Sequence, residues 1–375
     1  MKIAVNTRLL IKDKLEGIGW FSYETLKRIT QQHKEVSFYF IFDRQFDESF
    51  LFSDNITPII QGPQARHPFL FYIWFELSIP PLLKKLNPDL FLSPDGYLSL
   101  STKTKSLPVI HDLNFEHYPQ DLPWLVRKYY KYYFPKFAKK ATRIATVSAY
   151  SKNDIVNQYN IDSSVIDVVY NGMNESYCEP SEEEKEATLK LLTNGSPYFI
   201  FVGALIPRKN ITNLFLAFDI FKSKSKNDVK LLVVGDKKWW TSSMHQTFHS
   251  LQHKQEVVFT GRMQAEPLRK AIGSALALTY VSYFEGFGIP ILEAFTCHTP
   301  VITSNITSMP EIAGDAALLV DPFSPDSIAD AMMQINQNEN LRTELIRKGM
   351  DRKKDFSWQK SADQLWDSIN KTIEG

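Results

Sequence analysis

Short runs of β-branched and aromatic residues, each followed by a polar loop and a helix-like stretch, recur along this chain in two successive series. In the first half they are KIAVNT (2–7), VSFYFIFD (36–43), ITPIIQ (56–61), DLFLSPD (89–95), LPVIHDL (107–113), RIATVS (143–148) and IDVVYNG (166–172). Runs of this length and composition read as strands. Residues 16–31, 124–140 and 150–159 carry helical spacing between them, and strand–helix alternation argues for a parallel sheet covered on both faces. The second half repeats the grammar with YFIFVGA (198–204), KLLVVGD (230–236), EVVFTG (256–261), ALALTYVS (275–282), TPVITSN (299–305) and ALLVDP (317–322). The expected fold is α/β, with two lobes of doubly wound type.

Residues 179–196, with an acidic run at 182–186 and Gly195-Ser196-Pro197, separate the two series and read as a linker. Lobes over 1–178 and 179–355 follow. The tail at 356–375 spaces Trp358, Ala362, Leu365, Trp366 and Ile369 as one amphipathic helix, which closes the second lobe or returns to complete the first.

A length of 375 residues with 43% hydrophobic content is enough for two cores. Lys and Arg number 43 against 42 Asp and Glu, a balance that argues against a bulk nucleic-acid partner. Cys178 and Cys297 are too few and too far apart for a disulfide framework, which suits a reducing compartment. The chain enters its first strand at once, without the pattern of a signal peptide, so a cytoplasmic location is expected. The most apolar stretch, 68–83, contains Glu76 and three prolines and is short for a membrane span.

The stretch YFEGFGIPILEAF (283–295) carries the strongest chemical signal. Gly286 and Gly288 let the backbone approach a ligand, and Pro290 is placed to begin a helix whose free N–H groups attract phosphate. Glu285 then lies in the loop after a strand, with Glu293 one turn into the helix. Isolated glutamates of this kind also serve as a solvated side chain and a helix-dipole partner. Arg208 and Lys209 precede another helix-like run, where cations oppose the macrodipole unless an anion binds there.

The pair Glu285 and Glu293 in EGFGIPILE resembles the Glu-x7-Glu motif of retaining GT-B glycosyltransferases of family 4. Gly17-Ile18-Gly19-Trp20-Phe21, His111-Asp112-Leu113, Thr146-Val147-Ser148, Tyr170-Asn171-Gly172, Phe201-Val202-Gly203 with Pro207-Arg208-Lys209-Asn210, Met309-Pro310-Glu311 and Phe356-Ser357-Trp358 follow in the family's order. The likeness spans nearly the whole chain and is strongest to the mannosyltransferase branch of bacterial polysaccharide assembly. It implies a GT-B fold with a ligand crevice between two Rossmann-like lobes, the first on the acceptor side and the second holding a nucleotide-sugar donor, with GDP-mannose favoured and no cofactor. It assigns Glu285 and His111 to catalysis. Donor binding falls to Arg208, Lys209, Gly286, Phe287, Gly288, Ile289, Glu293, Gly203, Gly17 and Gly19. The usual arginine after Gly203 is replaced by Ala204, so Arg208 is its expected substitute.

Neither an Asp-x-Asp triplet nor a His/Cys cluster with ligand spacing occurs, so no metal site is expected and fixed cations must neutralise the leaving diphosphate. Gly17-Ile18-Gly19 lacks the third glycine of a dinucleotide fingerprint, because Ser22 stands there. Residues 124–143 hold seven Lys or Arg and no acid among many aromatics. They suit an anionic membrane surface or an ordinary lobe helix with a basic face, interrupted at Pro135. A phosphorylase-like enzyme and a nucleotide-sugar-binding protein without turnover are the competing functions.

Overall fold

The computed structural model describes residues 1–237 and 240–375. It forms two compact units: Met1–Gly172 with Phe356–Gly375, and Met173–Asp355. Each is a Rossmann-like α/β domain around one parallel sheet.

The first sheet contains β1 (Lys2–Asn6), β2 (Ser37–Phe42), β3 (Ile56–Ile60), β4 (Leu90–Ser93), β5 (Ser106–Ile110), β6 (Ile144–Thr146) and β7 (Ile166–Val168), in the order β3-β2-β1-β4-β5-β6-β7. The second contains β8 (Tyr198–Val202), β9 (Lys230–Val234), β10 (Val257–Gly261), β11 (Ala277–Tyr280), β12 (Val301–Ser304) and β13 (Leu318–Val320), in the order β10-β9-β8-β11-β12-β13. All pairings are parallel; Ile3 lies opposite Leu90, and Ala277 opposite Phe199. Every residue of β4, β5 and β8 is buried, as strands covered on both faces must be. Strand order reverses between β1 and β4 and again between β8 and β11, and the crevice beyond the carboxyl ends at such a point is where open α/β sheets bind ligands.

Two sequence expectations need correction. Residues 179–196 are no open linker: Glu182–Thr193 is a helix of the second unit. Ser181 and Glu184 form a reciprocal capping box, and Glu184 also pairs with Arg269 at 3.0 Å and Lys270 at 3.0 Å. The Ser-x-x-Glu spacing that sets the cap was present in the sequence. The helix Trp124–Lys140 also runs unbroken through Pro135. Proline removes one donor, the partner of the Lys131 carbonyl. Lys131 is exposed, so water can satisfy that carbonyl.

The C-terminal helix Trp358–Glu374 belongs to the first unit and packs on the helix Gly17–Gln32. Trp366 stacks on His33 at 3.6 Å, Trp358 meets Phe21 edge-on at 6.5 Å, and Ser368 donates to Asp167 at 2.7 Å. Its entry is tight, because a Cβ on Gly172 would lie 2.3 Å from the Trp358 nitrogen. We predict that Gly172→Ala destabilises the first unit by about 2 kcal/mol or more, since backbone rather than a flexible side chain must move. Urea unfolding checks this, and an unchanged midpoint would place Gly172 outside any real constraint.

Candidate active site

Because β8 and β11 are neighbours, the loops that leave their carboxyl ends meet. After β8 the chain passes Gly203 and makes a single 3-10 turn, Pro207–Lys209, ended by Asn210 in the left-handed region at φ 58°. The Asn210 amide donates to the carbonyls of Val281 at 2.9 Å and Pro322 at 2.6 Å, tying this loop to those after β11 and β13.

That turn delivers two cations onto one carboxylate. Arg208 Nη1 lies 2.7 Å from Glu285 Oε2, and Lys209 Nζ lies 2.6 Å from Oε1. Arg208 also donates to the Phe284 carbonyl at 3.2 Å, while its own carbonyl accepts from Tyr283 N at 3.0 Å. Lys209 bonds the hydroxyl of the buried Tyr280 and sits 4.7 Å from the centre of its ring. Glu285 is 6% exposed, so it is not a solvated loop residue. Burial raises its pKa, but the charges of Arg208 and Lys209 outweigh that and hold the carboxyl at about 2. It is therefore ionised at neutral pH.

Beyond Glu285, Ser308 Oγ lies 2.9 and 3.0 Å from the carbonyls of Glu285 and Phe287 and shapes the loop through Gly286. Gly288 adopts φ 114° and caps the helix Ile289–Thr296. A Cβ there would meet only the movable end of a flexible side chain, Met309 Cε at 2.8 Å, so it is the left-handed conformation that demands glycine. Ile289 is the first helical residue and Pro290 the second, one place later than expected, because the left-handed turn at Gly288 starts the helix. The positive end of this helix faces the Glu285 loop. Glu293 is half-buried, and burial alone pushes its carboxyl up to about 7.

In the first unit, Gly17 and Gly19 form the first turn of the helix Gly17–Gln32, not a dinucleotide-type loop. A Cβ on Gly19 would lie 3.1 Å from Leu15 Cδ2 and 3.2 Å from the Leu9 carbonyl, whereas one on Gly17 would meet nothing within 4 Å. His111 follows β5, with Nε2 2.8 Å from the Pro94 carbonyl and its ring edge-on to Phe21 at 5.1 Å. Burial lowers its pKa, which favours a neutral imidazole with its proton on Nε2. Arg208, Lys209, Glu285 and the Gly288 helix start are thus gathered in the second unit, whereas Gly17, Gly19 and His111 belong to the first.

Sequence reasoning missed Asn210, Tyr280 and a buried network at the reversal point of the first sheet. There Arg8 pairs with Asp95 at 2.5 Å, while Asn6 donates to Asp95 at 2.8 Å and to Ser93 at 3.0 Å. Their positions at and just past the carboxyl ends of β1 and β4 were the available signal. Among the described residues no group of three or more His, Cys, Asp or Glu is arranged to hold a metal ion.

The raised Glu293 carboxyl has a pH consequence. The unfolded chain releases this proton near the ordinary glutamate value and the folded chain releases it near 7, so the folded state loses stability as pH rises between the two. Glu293→Gln should therefore raise the melting temperature, relative to the unmodified protein, more at about pH 8 than at about pH 5. A pH-independent difference in thermal melts would contradict the shift.

Residues 15–177 match the profile described as glycosyltransferase family 4, and residues 182–352 match that of glycosyl transferases group 1. The O-antigen chain mannosyltransferase B of Escherichia coli is 28% identical over 371 residues, 94% of this chain and 96% of that protein. The O-antigen chain mannosyltransferase RfbU of Salmonella typhimurium is 29% identical over 285 residues, 76% and 75% of the two chains. Among solved structures, Anabaena HepE in complex with UDP and glucose aligns over 99% of both chains with a TM-score of 0.76 at 16% identity, a likeness of fold. With a glycosyltransferase profile on each of its two Rossmann-like units, family 4 on the first and group 1 on the second, the chain belongs to the family 4, group 1 glycosyltransferases and is a hexosyltransferase of GT-B fold.

Proposed function

We propose that this enzyme moves mannose from GDP-mannose, with retention of anomeric configuration, onto a glycan or lipid-linked glycan during polysaccharide assembly. The choice of mannose and of pathway rests on the two O-antigen mannosyltransferases it resembles. The observation that carries the chemistry is the carboxylate of Glu285 held by Arg208 and Lys209 at the reversal point of the second sheet.

In this reading the diphosphate lies against Arg208, Lys209 and the positive end of the helix at Ile289, sharing the two cations with Glu285. Glu285 and the amides of Gly286 to Ile289 hold the sugar, Glu293 accepts from the nucleotide ribose, and His111 contacts sugar hydroxyls. The bond between the anomeric carbon and the phosphate oxygen breaks, and its electron pair leaves on the phosphate. Preorganised cations stabilise that growing charge without reorganising during the reaction. The acceptor oxygen then bonds the anomeric carbon on the same face, and its proton passes to the departing phosphate oxygen. A covalent intermediate on the protein has no part in this scheme.

Thermal shifts with UDP, GDP and ADP test the donor: GDP should stabilise most, because a ligand far above its Kd adds a few kcal/mol. Arg208→Ala should cut transfer by at least about tenfold, the scale of a charge-assisted phosphate bond of roughly 1.5–3 kcal/mol. GDP affinity should fall far more than GMP affinity, and Arg208→Lys should recover only part, having lost the planar fork. Equal losses for GDP and GMP would remove Arg208 from the diphosphate. With Arg208 and Lys209 as the neutralising charges, transfer should persist in excess EDTA; complete loss restored by magnesium would overturn that assignment.

A further inference from the structure

We propose that the first unit docks on an anionic lipid bilayer through a single face built by two helical segments, a role separate from the transfer site. The helix Trp124–Lys140 places Trp124, Lys128, Tyr132, Lys136 and Lys140 at four-residue intervals, which puts them along one side. All five are exposed, as are Leu125, Lys131 and Lys139. The aromatic rings and ammonium groups are interleaved in space as well: Lys128 Nζ lies 4.1 Å from the Trp124 ring centre, and Lys136 Nζ 3.3 Å from that of Tyr132. The opposite side of the same helix, with Phe134, Phe137 and Ala138, is buried in the core of the unit.

A second segment continues the face. It runs from the helix Pro68–Tyr72 through a π-helical stretch, Ile73–Ser78, to the helix Ile79–Leu86. It exposes Phe69, Tyr72 and Leu77, at 65%, 42% and 57%. Tyr72 approaches Tyr133 at 6.5 Å, and an open groove of about 670 Å³ runs between the segments, lined by Pro68, Leu125, Tyr129 and Tyr132 with Arg127 and Lys128 beside them.

Charge decides what covers this face. The basic helix contains no acid, and two acids beside it are engaged: Glu76 accepts from Leu100 N at 2.7 Å and from Ser101, while Glu116 accepts from Tyr159 and lies 3.9 Å from Lys131; Asp121 stands three residues before Trp124, off the end of the helix. Exposed tryptophan, phenylalanine and leucine among lysines that have no acidic partners on their own helix match the headgroup boundary of an anionic bilayer, where rings enter the apolar edge and ammonium groups meet lipid phosphates. Among the described residues no helix is long and apolar enough to cross a membrane, so the contact is interfacial.

Sedimentation of the full chain with vesicles tests the proposal. The protein should pellet with equimolar phosphatidylcholine and phosphatidylglycerol, stay in solution with phosphatidylcholine alone, and release as salt rises. Trp124→Ala with Leu125→Ala, and separately Lys128→Gln with Lys131→Gln, should each weaken binding at least about tenfold. Thermal melting and transfer to a water-soluble acceptor should be unchanged, which separates this face from the proposed reaction. Failure of the unmodified protein to pellet with anionic vesicles, or binding unaffected by both double variants, would overturn the proposal. So would concentration-dependent self-association in sedimentation velocity that the Trp124 and Leu125 variant abolishes, because the face would then belong to a second copy.

Discussion

Two cations and one carboxylate, brought together from loops far apart in the chain, organise the second unit's functional edge. Removing Glu285 from water would cost several kcal/mol if it stood alone, and Arg208 and Lys209 cancel that cost only while the 3-10 turn holds them in place. The turn in turn depends on Asn210, whose side chain reaches two other loops, and on the adjacency of β8 and β11. Geometry at the site is therefore a property of the sheet order. A carboxylate already ionised and already paired needs no proton change to keep two positive charges poised beside it.

The sheets were legible because their signal is local. Thirteen runs were read as strands, and thirteen strands occur among the described residues; inner ones such as β4, β5 and β8 are buried on both faces and must be written in apolar residues. The glycines of the Glu285 loop were legible for a similar reason: Gly288 sits at φ 114°, a conformation that strains any residue with a Cβ. What could not be read was the partnership of side chains across loops. Arg208, Lys209 and Glu285 were each singled out, but nothing in the spacing of residues 208 and 285 announces that they share a salt bridge. The roles of Tyr280 and Asn210 were not read because they exist only once β8 lies beside β11.

The misread segment shows a different limit. An acidic run followed by Gly-Ser-Pro has the composition of a linker, and the Ser-x-x-Glu spacing of Ser181 and Glu184 was not read as a helix start. Arg269 and Lys270 resolve the conflict, because they give the acidic first turn partners that lie far along the chain. Pro135 was overweighted in the same way: its cost depends on whether the carbonyl it orphans can meet water, and on this helix it can.

The chain leaves the first unit after Gly172 and returns to it at Phe356, so the whole second unit is an insertion within the first. During synthesis the second unit is complete before the helix that finishes the first has been made. The seven-stranded sheet must therefore wait with the His33 side of its Gly17–Gln32 helix uncovered, although its strands emerged earliest. Domains that emerge first usually fold first; here the order of completion is reversed. Loss of the final helix would strip the unit made earliest and leave intact the one made in between.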